Sequence, residues 1–400
     1  DHSTIASFVS SMKDQIKPLF RDILLVFEQE GLLGGTFFAI DGCKLSGNAS
    51  KEWSGKIKYL ERKKEKIEVK LKALVEDHIE IDQKDHDVKQ QMSNSREKQI
   101  RRLQQHAEKI EKWLSENKKK IGANRKELQS NVTDNDSAKM HTSHGTVQGY
   151  NSQAIVDSKH QVIVHGEAIG KGQDNENLPP VIDGAKKNLQ QIGKSPDYFE
   201  GKILTADSNY HSIPNLNKCN QEKLDAYIPD NQFRTRDERF VSRVGYRPSS
   251  KKFTFHDFRY DSKKDEYLCP SGKRLKRLGK PSRHKGKLLR RYISEETDCR
   301  ACNLRSKCLR YKDANQRHFT FYADESGNNI SQEMVKKIET EKGCKIYPQR
   351  IAIAEPVFAN IRVNKRMDKF SLRGKIKVNI QWLLYCMVHN IGKVANYGLA

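Results

Sequence analysis

The chain has 400 residues and sets 74 Lys and Arg against 51 Asp and Glu, a formal net charge of +23. Such an excess repels itself unless a polyanion neutralises it; nucleic acid is the first candidate and an anionic membrane surface the second. No apolar run approaches the roughly 18–20 residues of a spanning helix, which weakens the membrane reading.

The opening, DHSTIASFVS, lacks an initiator Met and reads as part of something longer. Residues 11–30 fit an amphipathic helix with Phe20, Ile23, Leu24 and Phe27 on one face, ended by Gly31, Gly34 and Gly35. TFFAIDGCK follows as an apolar strand that finishes on a lone acid, Asp41. From Lys51 to about Ser130 charge dominates and Pro is absent. Apolar residues recur there at heptad spacing, in alternating steps of three and four with some gaps: Ile57, Leu60, Ile67, Leu71 and Leu74, then Ile100, Leu103, Ala107, Ile110, Leu114, Ile121 and Leu128. Polar Asp82–Ser95 separates the two sets, so the spacing predicts an antiparallel helical hairpin. It reads either as a solvated spacer with a thin apolar seam or as a dimerisation or DNA-spanning arm.

Two adjacent strands are expected at 147–157 and 161–168, and a helix after GQDNENLPP with Asp174 as its N-cap. His141 and His144 fall in a segment that reads as a loop and lacks further metal ligands nearby. KILTADSNYHS repeats the pattern of Asp41: a short strand ends on Asp207, then a polar turn and a helix near 212–223. DAYIP reads as one more short strand. The alternation predicts a mixed α/β sheet, and ligands in open α/β sheets bind at strand C-terminal ends.

An insertion follows. Phe253–Tyr260 and EYLCP read as a hairpin. Cys269, Cys299, Cys302 and Cys308 could hold one structural zinc, or remain free thiols. Residues 267–294 contain ten Lys and Arg and no acid, interleaved with Leu275, Leu278, Leu288, Leu289 and Tyr292. This run, with Lys273, Arg274, Lys276, Arg277, Arg290 and Arg291, suits phosphate contact; the plainer alternative is a solvated face. In CKIYPQRIAIAEPVFANIRVNK, Tyr347, Arg350, Glu355 and Arg362 are spaced along a helical segment; Pro is tolerated only in a first helical turn or at a kink, so Pro356 predicts that Glu355 lies near a helix start. QWLLYCMVHNIGKVANYG is an amphipathic C-terminal helix.

AIDG, GYNSQAIVD, GKGQDNENL, LTADSNY, DAYIP, YLCPSGKRL, CRACNLRSKC, RIAIAEPVF and LLYCMVHNIGKV, in this order, resemble DDE transposases of bacterial insertion sequences. The resemblance implies an RNase H-like catalytic core with Asp41, Asp207 and Glu355 as its acidic triad, holding two Mg²⁺ with Mn²⁺ as a substitute. Tyr347, Arg350, Glu355 and Arg362 look like the signature around the family's Glu, with Arg where Lys is usual at the last position. The implied substrate is double-stranded DNA, at transposon ends and target, met by a homodimer in the bacterial cytoplasm at the nucleoid. Implied domains are 1–34, a remnant of an upstream helical domain; 35–50 with 140–245 and 328–400, the core; 51–130, the hairpin insertion; and 250–325, the Cys-rich basic insertion. The alternative is a catalytically inactive, truncated remnant that only binds DNA non-specifically.

Overall fold

A computed structural model of the chain describes residues 2–82, 89–122, 126–143, 145–242, 253, 257–279, 282–284, 287–309, 311, 313–322 and 330–398. The expected hairpin turn at 83–88, His144, residues 254–256 of the expected strand and the expected boundaries at 245, 250, 325 and 328 lie outside these. The fold is mixed α/β, and the chain divides into two units: 1–228 with 341–400, and 229–340.

The first unit begins with α1 (His2–Ser11) and α2 (Ile16–Gln29). Phe20, Leu24 and Phe27 of α2 are buried, as the spacing predicts; Ile23 is only half-buried, and Ile16 joins the buried face. β1 (Phe37–Ser46) follows, then the short β2 (Ser54–Gly55). Contrary to expectation, β1 runs five residues beyond Asp41, because it pairs antiparallel with β5 (Gly145–Asp157) from Phe38↔Asp157 to Ser46↔Gly149. The sheet ladder, not the apolar run, sets the strand's length.

The long α3 (Ile57–Asp82) and α4 (Lys89–Glu116) pack on each other. Leu60, Ile110 and Trp113 form a small core with Val132 beyond the helices. The heptad pattern overreached at its end. Ile121 and Leu128 lie past α4, exposed, in a segment pinned by the isolated bridge Ile121↔Glu127. β3 (Ser130–Asn131) pairs β2, and β4 (Ala138–Thr142) pairs the start of β5. β4 was expected to be a loop; His141 lies in it, its Nδ1 3.2 Å from Thr146 Oγ1.

β6 (Val162–Ile169) pairs the later half of β5. α5 (Leu178–Gln191), β7 (Ile203–Ala206), α6 (Ile213–Gln221) and β8 (Asp225–Tyr227) complete the run. The sheet order is β4-β5-β1-β7-β8, with β6 on β5; β7 lies parallel to β1, and β8 parallel to β7.

The second unit is an antiparallel sheet with short helices. α7 (Phe233–Arg236) precedes β9 (Arg259–Asp261), β10 (Glu266–Leu268), β11 (Arg274–Arg277), β12 (Ser282–His284) and β13 (Lys287–Ser294). α8 (Glu296–Arg300), α9 (Arg305–Cys308), β14 (His318–Tyr322) and α10 (Ile330–Glu339) follow. Among the described residues the hairpin is formed by β9 and β10, and Phe258, expected in its first strand, lies just before β9. Phe258, Leu275, Tyr292 and Phe319 form its core.

The chain re-enters the first unit with α11 (Glu341–Ile346), α12 (Gln349–Ala359) and α13 (Lys375–Tyr397). α13 packs on β6, where Gly166 is needed: a Cβ there would lie 2.9 Å from Trp382 Nε1 and from Cys386 Sγ. α12 packs on β1 and β5.

Candidate active site

Parallel pairing of β1 with β7 brings the first two acids together. The register ends at Ile40↔Ala206, so Asp41 and Asp207 are the next residues on the two chains. There β7 stops and Asp207 turns away, its carboxylate accepting Asn209 N–H at 2.6 Å. Asp41 lies mid-strand, at the point where β1 loses its parallel neighbour.

α12 brings the third. Glu355 does not lie near the helix start; it is in the second half of α12, and Pro356 is inside the helix. Proline removes the N–H that would bond the Ala352 carbonyl. Gln161 Nε2 donates to that carbonyl instead, at 2.8 Å, so the helix continues. Gln161 sits in the turn before β6 at φ 59°; its backbone carbonyl is 2.9 Å from His389 Nε2, and its Oε1 accepts from Lys393 at 2.9 Å. Beyond α12, Asn360–Asn364 form a π-helical turn that carries Arg362. Asp41, Glu355 and Arg362 line one open cleft of about 610 Å³.

Arg350 joins the acids. Its Nη1 donates to Asp41 Oδ2 at 2.6 Å, and its Nη2 lies 3.6 Å from Glu355 Oε1. The Arg350 side chain is only 7% exposed, and its Nε is buried with no hydrogen-bond partner among the described residues. Burial pushes the Asp41 carboxyl up to about 6; Arg350 and the Gly42 N–H pull against this, and Asp207 adds to it.

A fourth acid escaped the sequence reading. Asp174 does not cap α5, whose N-cap is Asn177. Its carboxylate accepts Asn151 Nδ2 at 2.6 Å and Gln153 Nε2 at 2.9 Å. Burial raises its pKa, and Asp207 contributes in the same direction. The buried Tyr210 hydroxyl donates to Gln153 Oε1 and is held well above its usual range by burial, then by Asp174, Asp41 and Asp207. Gly42 leaves room for this support: a Cβ there would meet Gln153 Nε2 at 2.2 Å. The signal in the sequence was a polar run, Asn151-Ser152-Gln153, directly before the apolar Ala154-Ile155-Val156 of the same strand; all six residues are buried.

The donor set suits a hard divalent cation, since carboxylates from different elements converge on one positive charge, here a guanidinium. Among the described residues no group of three or more His, Cys, Asp or Glu, the acids of this cleft and the four cysteines of the second unit included, is arranged to hold a metal ion.

In the second unit, Cys269, Cys299, Cys302 and Cys308 line one small cavity. Burial raises the Cys308 pKa; Arg317 opposes this, and the other three cysteines add to it. Lys273 N–H lies 3.2 Å from Cys269 Sγ, and Ser294 Oγ 3.1 Å from Cys299 Sγ. Four cations of the basic run are each paired with an acid of the same unit: Lys273 with Asp298, Arg274 with Glu266, Lys276 with Glu295 and Arg277 with Asp265. These pairs are partly exposed and weak enough to be exchanged for another anion. Arg290 and Arg291 lie on β13.

Residues 268–395 match the family described as Transposase DDE domain. The match supports a DDE transposase. The transposase DDE domain match takes in the four cysteines, the basic strands, Tyr347, Arg350, Glu355 and Arg362, but neither Asp41 nor Asp207, which rest on the geometry. No curated protein and no solved structure matches the chain. No helix among the described residues is long and apolar enough to cross a membrane.

Proposed function

We propose that this chain is a DNA transposase of an insertion sequence, with an RNase H-like core that cuts phosphodiesters at transposon ends and joins them to target DNA. The observation that carries this is the convergence on Arg350: Asp41 from β1 and Glu355 from α12 reach one guanidinium, while the β1–β7 register sets Asp207 beside Asp41.

In this reading Asp41, Asp207 and Glu355 hold Mg²⁺ or Mn²⁺. Bound divalent cations supply charge to activate the attacking oxygen and to stabilise the leaving one. Asp174, through Asn151 and Gln153, fixes the strand beneath Asp41. Arg362 lines the cleft as a phosphate ligand, and Tyr347 precedes it at the head of α12. Arg350 exchanges Asp41 for a DNA phosphate or swings aside. The 51–130 hairpin and the 250–325 segment are insertions in the core. The four cysteines hold one structural zinc, and the β11–β13 cations run along the DNA backbone, on a homodimer.

The test is nicking of supercoiled plasmid with Mg²⁺, Mn²⁺ or EDTA. Metal-dependent nicking should vanish in Asp41→Asn, Asp207→Asn and Glu355→Gln while duplex binding persists. Nicking at the wild-type rate by any one of them removes that residue from the site. Binding without nicking in the wild type favours a non-catalytic DNA-binding protein.

A further inference from the structure

The first unit carries a second cavity, an open groove of about 650 Å³ walled by α2, α5 and α13 over β6. It shares no lining residue with the Asp41–Glu355 cleft. Five cations face it: Lys13 and Lys17 with Arg21 on one side, Lys187 from α5 and Lys375 from α13. Only Asp14 and Glu167 oppose them among its lining residues. Glu167 is engaged by Lys375 at 3.2 Å, and Arg21 Nε donates to Asn188 Oδ1 at 3.2 Å. Lys13, Lys17 and Lys187 are exposed and make no ion pair among the described residues.

The floor of the groove lies beneath this charge. His165 lies there, its Nδ1 3.3 Å from Asn188 Nδ2 and its Nε2 buried without a hydrogen-bond partner among the described residues. Burial, then Lys17 and Arg21, lower its pKa to about 4. The imidazole is therefore neutral at pH 7, and it feels the positive field of the wall above it. Gly184 permits this packing, because a Cβ would meet the ring at 2.2 Å.

The cations suit a chain of phosphates better than a single ion. They come from separate elements along an open groove, at the ends of long flexible side chains. Lys17 and Arg21 are one helical turn apart, about 6 Å along α2. Duplex DNA offers a charge for about every 1.7 Å of its axis, so spaced lysines can each find one. Lysine is a point charge without a base-reading fork, which fits positioning of a backbone more than sequence readout.

We propose that this groove is a second contact for the phosphodiester backbone of duplex DNA, separate from the catalytic cleft; the assignment rests on the chain being a transposase.

The full chain is titrated with random duplex DNA at several salt concentrations, by fluorescence anisotropy. Two triple variants with equal charge change are compared: Lys13→Glu/Lys17→Glu/Lys187→Glu in the groove and Lys118→Glu/Lys119→Glu/Lys126→Glu outside it. The slope of log affinity against log salt should fall by about 2–3 in the groove variant, near 0.9 per lost phosphate contact, and by less than about 1 in the control. As a check that needs no variant, lysine acetylation of the wild type is mapped by mass spectrometry. DNA should protect Lys13, Lys17 and Lys187 more than the control lysines. Wild-type binding with equal slopes in both variants and no selective protection overturns the groove alone. Wild-type protein that binds no duplex overturns the transposase reading and the groove together. Protection by inorganic phosphate as strong as by DNA would make the groove a small-anion site and refute the DNA assignment.

Discussion

Replacing Arg350 with Gln should destabilise the first unit by an amount that depends on pH. The guanidinium is 7% exposed and bonds Asp41 at 2.6 Å. Removing one partner of a buried ion pair costs about 3–5 kcal/mol, because the other charge is left without compensation. The Asp41 carboxyl, at about 6 against an ordinary 3.8, binds its proton more tightly folded than unfolded. Its contribution to stability is therefore fully present below about pH 4 and is lost as pH rises through about 6. That shift alone corresponds to about 3 kcal/mol at most. Without Arg350 the carboxyl moves further up, so the window of loss extends to higher pH. The cost of Arg350→Gln should be small near pH 5, where the variant's Asp41 is protonated, and approach about 3–5 kcal/mol near pH 8. Urea unfolding followed by Trp fluorescence reads this directly, since Trp53, Trp113 and Trp382 all belong to the first unit. Mn²⁺ should raise the urea midpoint more in the variant than in the wild type, because no guanidinium competes for the carboxylate. An equal cost at both pH values, or a smaller Mn²⁺ effect in the variant, would refute this account.

Gln161→Ala should cost about 0.5–1.5 kcal/mol, the net worth of one hydrogen bond, since the Ala352 carbonyl is exposed and water can replace the donor; a cycle with Pro356→Ala, which restores an N–H there, should be non-additive, and additive urea midpoints would break the link. Purified protein should hold about one zinc per chain by elemental analysis, and Cys302→Ser should lower that and loosen the second unit only. A stable, metal-free preparation with four reactive thiols would count against zinc. Replacing 57–116 by a Gly/Ser linker should leave the first unit folding cooperatively, with a modest loss at the exposed Val132 base; loss of all native near-UV dichroism would show the hairpin to be part of the core.

Asp41 and Asp207 stood out in the sequence because each terminates an apolar run, and the β1–β7 register sets the two side by side. The length of β1 was not legible, since its second half is specified by the β5 ladder on the far side of an 80-residue insertion. Pro356 misled for a related reason: its penalty is removed by Gln161, remote in sequence. Asp174 looked like a helix cap because Asp before a helix commonly is one, and only tertiary contacts with Asn151 and Gln153 reassign it. The basic run was legible as charge, but its pairing with Asp265, Glu266, Glu295 and Asp298 depends on how the antiparallel strands and α8 bring flanking acids back.

The route of the chain has a consequence for synthesis. Having laid down β1, β5, β7 and β8, it leaves the first unit at Ile228 and returns only at Glu341. A ribosome that has finished Asp207 still has roughly 150 residues to make before Glu355, some 7–30 s at about 5–20 residues per second. Through that interval the sheet lacks α12 over β1 and α13 over β6, and Asp41 lacks its guanidinium. The nascent protein thus carries Asp41 and Asp207 on a sheet that lacks two of its covering helices, with α5 packing on β5 and β6. A transcript cut short within the second unit yields a chain that cannot complete the site, whatever else it retains.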